Sequence, residues 1–136
     1  MSAATDDRTL VRRAAPRDAQ SIASVQVHTW RVTYSDLLPD EVLADLSFAR
    51  GVRTWRRLLQ TPGRGQATFV AEQKGAVIGF ASCGPSRGPV PDYPGEVYTL
   101  YVMPPAQGQG LGRQLLEAAF YALACEGMGS AVVWAL

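Results

Sequence analysis

At 136 residues, 47% of them apolar, the chain has the length and composition of one domain with a single ordinary core. Thirteen basic against twelve acidic residues leave a formal charge of +1, so no nucleic-acid or other polyanionic partner is implied. Cys83 and Cys125 lack C-x-x-C spacing and accompanying histidines, which argues against a disulfide framework or a metal site, and neither a basic-then-apolar leader nor an apolar run of about 18 residues is present, so a cytoplasmic protein with no membrane partner is expected.

Residues 10–13 read as a short first strand. Pro16, Arg17 and Asp18 supply a proline and an acid suited to a first helical turn. Ile22, Val25, Gln26 and Thr29 then share one side of a helix that runs to about Val32 and stops before Tyr34-Ser35-Asp36. A second helical region starts at Pro39, with Val42, Leu43 and Leu46 as its apolar side. Ser47 caps a further helix over 48–60, whose inward stripe is Val52, Trp55 and Leu59 and whose other side carries Arg50, Arg53 and Arg57.

Residues 67–72 and 77–83 are β-rich runs separated by Gln73-Lys74-Gly75-Ala76, a hairpin signal. Four prolines and three glycines make 84–95 a loop on the sheet edge, suited to covering a substrate mouth. Strict alternation over the next strand, 96–103, places Glu96, Tyr98, Leu100 and Val102 on one face and Val97, Thr99, Tyr101 and Met103 on the other. Both faces are largely apolar, so this strand is central. Pro104 and Pro105 end it, a helix over 111–126 buries Leu111, Leu115, Ala118, Ala119 and Ala122, and 131–136 reads as one more buried strand. The order predicts an α/β fold in one domain over 1–136. It has a mixed, mostly antiparallel sheet flanked by helices and a right-handed parallel β-α-β crossover in its C-terminal part.

The joint between strand 96–103 and helix 111–126 is Gln107-Gly108-Gln109-Gly110-Leu111-Gly112, followed by Arg113. Glycines at alternate positions let successive backbone N–H groups close on a diphosphate, with the positive end of the helix dipole added; a plain flexible turn is the alternative. The dinucleotide fingerprint fails because Arg113 stands where its third glycine belongs, and a P-loop fails because the chain's one lysine is Lys74. What remains is Gln107-x-x-Gly110-x-Gly112 after a strand ending Leu100-Tyr101-Val102-Met103-Pro104-Pro105. In this it resembles the GNAT superfamily of acetyl-CoA-dependent N-acetyltransferases. The resemblance extends from Leu10-Val11-Arg12-Arg13 through Trp30-Arg31-Val32-Thr33-Tyr34 to Ala131-Val132-Val133-Trp134-Ala135.

The resemblance implies acetyl-CoA as co-substrate, no metal, and transfer to a primary amine of a small molecule or protein by direct attack in a ternary complex. It places the pyrophosphate on Gln107, Gly108, Gln109, Gly110, Leu111, Gly112 and Arg113. The pantetheine arm falls on the backbone of Leu100, Tyr101 and Val102, with the Val102 N–H as oxyanion donor. Glu96, eleven residues before Gln107, matches the glutamate that takes the amine proton in histone-type relatives; a solvated strand-end acid is the alternative. Trp30 and Tyr34 border the acceptor site in such a fold, against plain core packing, and His28 reads as a surface histidine. Arg50, Arg53, Arg56 and Arg57 form a solvated face, or else attract an anionic acceptor or the coenzyme's 3′-phosphate.

The family's closing strands and final helix, with the tyrosine that protonates the thiolate, have no counterpart here, and Tyr98, Tyr101 and Tyr121 do not match that position. A bare apolar last strand is an aggregation hazard, so the chain is either a shortened form or is covered by another chain, as in a homodimer. That keeps a second reading open, a non-catalytic acyl-CoA-binding or regulatory module associating through its last strand.

Overall fold

A computed structural model describes residues 9–34, 36, 39, 48–88 and 92–133. The helical region expected from Pro39, with Val42, Leu43, Leu46 and the Ser47 cap, lies outside the described residues, as does the end of the strand expected over 131–136.

Lys74 and Gly75 form the hairpin as their composition predicts. They join strand β2 (Ala67–Gln73) to strand β3 (Ala76–Pro85) with φ of 54° and 79°, a doubly left-handed turn whose twist suits the flanking strands. Strand β1 (Thr9–Arg13) pairs antiparallel with β2, and strand β4 (Gly95–Val102) antiparallel with β3. Strand β5 (Ala131–Val133) adds to β4 in parallel, giving the order β1-β2-β3-β4-β5. The sheet is therefore mixed and mostly antiparallel, as expected. Helices α1 (Ala19–Tyr34) and α2 (Phe48–Gln60) cover one face, and α3 (Leu111–Cys125), the crossover between β4 and β5, covers the other.

On the first face Ile22, Ala23 and Val25 of α1 pack with Trp55 of α2 against Val70 and Phe80. The Trp55 ring meets Phe80 edge to face at 5.2 Å, and its N–H donates to Gln26 Oε1 at 2.9 Å, so its one polar atom is satisfied. On the second face the buried stripe is Leu111, Leu115, Ala119 and Leu123; Ala118 and Ala122 are only partly covered. Among the described residues no helix is long and apolar enough to cross a membrane.

The β3–β4 pair departs from expectation twice. Gly84 and Pro85 end β3 instead of opening the loop, because Gly84 pairs with Glu96 and Pro85 with Gly95. A Cβ on Gly84 would collide with the Tyr98 hydroxyl, so only glycine lets that ring lie across the strand. The second departure is a bulge: Ser82 faces Thr99 but Cys83 faces Val97, leaving Tyr98 as an extra residue. Strict alternation breaks there. Val97, Leu100 and Val102 pack toward α3, whereas Tyr98, Thr99 and Tyr101 lie on the α1–α2 side.

Asp18 does more than favour a first turn. It is 5% exposed, its two oxygens receive the Arg12 guanidinium at 2.8 and 2.9 Å, and Oδ2 also accepts the Ala15 N–H at 2.7 Å. This fork ties the end of β1 to the start of α1. The hydrogen bonds from Arg12 hold the carboxyl below the usual carboxylate range. A folded-state pKa below the unfolded value means the stabilisation is complete at neutral pH and is lost as pH falls through the folded value. Asp18→Asn is expected to cost about 2–3 kcal/mol, less than a fully buried pair because Arg12 keeps Glu72 at 3.4 Å. Thermal unfolding should show a loss of about 10 °C at pH 7 that shrinks as the pH falls through the folded-state value; a gap that stays the same throughout acid titration would refute the pairing.

Candidate functional site

Pro104–Ala106 form a short 3-10 turn that closes β4, and Gly108 and Gly110 then take left-handed φ of 83° and 78°. Gly110 caps α3, whose first intrahelical bond runs from the Gln114 N–H to the Gly110 carbonyl at 3.1 Å. The N–H groups from Gly108 to Arg113 consequently have no hydrogen-bond partner among the described residues. The turn is uncrowded on its side-chain side: an added Cβ at 108 or 110 would meet nothing within 4 Å, and one at 112 only Val102 Cγ2 at 4.0 Å. The Gln107 side chain faces elsewhere and donates to the Val102 carbonyl at 2.9 Å, bracing the turn on the strand. The Arg113 side chain is likewise engaged, with Glu117 Oε1 at 3.0 Å on the outer surface of α3.

The adjacent edge of β4 follows from the ladder. The Met103 N–H donates to the Ile78 carbonyl at 2.8 Å, so by antiparallel alternation the main-chain groups of Tyr101 turn to β3, while those of Leu100 and Val102 turn away from it. Among the described residues β5 pairs only with Gly95, Glu96 and Val97. Leu100 thus offers its main-chain groups beside the glycine turn, and Val102 its N–H, the Val102 carbonyl being held by the Gln107 amide. Tyr101 does not, and its ring packs on Phe80 at 5.3 Å.

Glu96 is 5% exposed, which overturns the solvated strand-end alternative. Its Oε1 accepts the Arg87 main-chain N–H and its Oε2 pairs with Arg87 Nη2, both at 3.0 Å. The Arg87 guanidinium also lies 3.8 Å from the Tyr98 ring centroid, and the Tyr98 hydroxyl donates to the Pro85 carbonyl. Arg87, in the part of the loop that follows β3, is therefore pinned over the start of β4. Burial pushes the Tyr98 phenol above its usual pKa, so it keeps its proton at neutral pH. Sequence reasoning missed Arg87: only the β3–β4 register, bulge included, brings it onto Glu96.

A cavity of about 560 Å³ opens between α1, α2 and the bulged end of the sheet. Trp30 lines it with Trp55, Leu58 and Tyr98; the side chain of Tyr34 lies outside the described residues. Ser82 Oγ and Thr99 Oγ1, 2.6 Å apart, line its sheet side. Arg50 also lines the cavity, while Arg53, Arg56 and Arg57 are exposed and stand outside it, and His28 is exposed. Cys83 is buried, its thiol pushed up in pKa by that burial, with Sγ toward the Ala119 carbonyl at 3.8 Å.

Comparison with known proteins gives a consistent picture. The model of the acetyltransferase (GNAT) family matches residues 20–136. The chain is 38% identical over 128 residues to the uncharacterized N-acetyltransferase YuaI of Bacillus subtilis (strain 168), covering 93% of this chain and 70% of that protein. The PaiA N-acetyltransferase of Thermoplasma acidophilum, solved in complex with coenzyme A, superposes with a TM-score of 0.68 at 17% identity over 89% of this chain and 75% of that one. AAC(6′)-Iy, solved with the bisubstrate analogue CoA-S-monomethyl-acetylneamine, gives a TM-score of 0.71 at 17% identity, covering 95% of this chain and 80% of that one.

Proposed function

The chain belongs to the acetyltransferase (GNAT) family, and on that premise we propose that it transfers an acetyl group from acetyl-CoA to the primary amine of a small molecule or protein, by direct attack in a ternary complex. The observation that supports this reading is the run of N–H groups from Gly108 to Arg113 that have no partner among the described residues, at the positive end of α3 and beside the stretch of β4 that pairs with no described residue of β5. In two proteins of the same fold the bound molecule is coenzyme A or an analogue built on it, which supports the assignment of that run to a pyrophosphate.

Acetyl-CoA supplies the activated thioester. Residues 108–113 hold its diphosphate by main-chain N–H, the Gln107 N–H being taken by the Pro104 carbonyl at 3.2 Å, and Leu100 pairs with its arm, Tyr101 beside it keeping the edge on the β3 ladder. The Val102 N–H faces the carbonyl oxygen as charge develops on it. Glu96 accepts the amine proton through water as nitrogen attacks the carbonyl carbon and the thiolate leaves, Arg87 yielding one of its two hydrogen bonds. Burial keeps Cys83 protonated, which supports direct attack over a cysteine-bound acyl intermediate. The engagement of Glu96 by Arg87 favours one competing reading, a module that binds acyl-CoA without turnover.

A thermal-shift comparison separates these. Acetyl-CoA at 100 times its dissociation constant should stabilise by about 2.7 kcal/mol, with NAD and ATP giving no comparable shift. Free thiol should then appear only when an amine is added. Stabilisation without thiol release across an amine panel supports the binding module, and a shift with NAD or ATP but not acetyl-CoA overturns both.

A further inference from the structure

On the face of the sheet that α1 and α2 cover, two successive rungs differ in kind. In the first, Val70, Phe80 and Tyr101 stand opposite one another across β2, β3 and β4 and pack into the core. Two residues away on each strand stand Thr68, Ser82 and Thr99, again in direct register. Side chains two apart share a face, so all three point to the α1–α2 side, and all three line the cavity. An apolar rung thus gives way to a hydroxyl rung where the cavity opens.

Ser82 Oγ and Thr99 Oγ1 share one hydrogen bond at 2.6 Å. Thr68 Oγ1 has no hydrogen-bond partner among the described residues and yet is not buried, so its capacity is unspent toward the space of the cavity. A hydroxyl donates once and accepts twice, and it carries no charge. The rung therefore matches an uncharged group that can both give and take a hydrogen bond. A wholly apolar ligand laid over it would strip water from Thr68 and return nothing. Above the rung, Trp30, Trp55, Leu58 and Tyr98 suit an apolar body.

We infer that the acceptor amine carries an uncharged hydrogen-bonding group, a hydroxyl or a carboxamide, on an apolar body, with Thr68 as the residue that selects it. This deepens the acetyl-transfer reading and rests on it only for the fate of the amine. Ligand selection is read by binding alone, so the two fail in different ways.

Calorimetric titration of the full chain, with and without CoA, compares phenylalaninol, phenylalaninamide and 2-phenylethylamine, which share one apolar body and one amine. At least one of the two polar amines should bind about fivefold tighter than 2-phenylethylamine or better, the size of one uncharged hydrogen bond, and the tighter of them identifies the group the rung takes. Thr68→Val and Thr68→Ala should each reduce that preference to about twofold or less, whereas Thr68→Ser, which keeps the hydroxyl, should retain it. Equal or tighter binding of 2-phenylethylamine, absence of binding by both polar amines, or a preference that survives in the valine and alanine variants overturns the inference. Failure of acetyl-CoA to stabilise the parent protein would instead count against the transferase reading, and a preference measured without CoA would survive it.

Discussion

Gly112→Leu is expected to weaken acetyl-CoA binding by at least about 100-fold while leaving the fold intact, a loss of about 2.7 kcal/mol of ligand stabilisation. Gly112 sits in the first turn of α3 without a left-handed φ, and its nearest neighbour would stand 4.0 Å from a new Cβ, an ordinary contact. The Cβ of a leucine there meets no clash, and leucine favours the helix over glycine. Its side chain, however, leans toward the helix N-terminus and so screens the N–H groups of the turn. Gly112→Ala adds one small atom and should keep affinity within a few-fold. Isothermal titration with acetyl-CoA, paired with melting curves of the free variants, reads both quantities. A leucine variant that melts normally and binds like the parent would remove the turn from the cofactor site.

The second large effect is expected at Glu96. Glu96→Gln should lower kcat by about 10²- to 10⁴-fold, the span of a lost general base, with acetyl-CoA stabilisation retained. Glutamine preserves shape and can still accept the Arg87 N–H that Glu96 accepts at 3.0 Å, and Arg87 itself is largely exposed, so solvent takes up its unpaired charge. The same contacts supply the control. If Glu96 serves only to pin the proline-rich loop, Arg87→Ala removes the same pin and should reduce kcat as much. If Glu96 takes the proton, Arg87→Ala should retain most of the rate. Single-turnover thiol release for the two variants, at saturating acetyl-CoA, decides between them.

Much of the fold was legible because its signals are local. Lys74-Gly75 between β-rich runs, Pro16 and Asp18 ahead of an apolar-faced helix, and the glycine turn before Leu111 each act over a few residues, and each element that lies wholly among the described residues formed within about two residues of its expected bounds. α1 continues to Tyr34 because no proline or glycine interrupts it there. The glycine turn was legible as an open run of amides for the same reason: left-handed φ at 108 and 110 is a property of glycine itself.

The side-chain faces of β4 were not legible in the same way. Period-two alternation placed Tyr98 with Leu100, but the extra residue at Tyr98 moves it to the cavity side, and no local propensity announces where an antiparallel ladder will slip. The partners of buried charge were likewise hidden. Arg12 and Asp18 lie six residues apart, and Arg87 and Glu96 nine; each pair forms only once neighbouring elements have packed.

By itself, then, the order of residues decided which segments are strands and helices, where the chain turns with positive φ, and that a row of amides opens a helix beside a central strand. Only tertiary structure decided which arginine reaches Glu96, which of four α2 arginines lines a cavity, and which β4 amides stay free. The physical reason is range. Backbone preference and apolar period act within one turn or one strand pair, whereas charge pairing, register and cavity lining depend on segments that meet only when the apolar faces of α1, α2 and α3 close on the sheet.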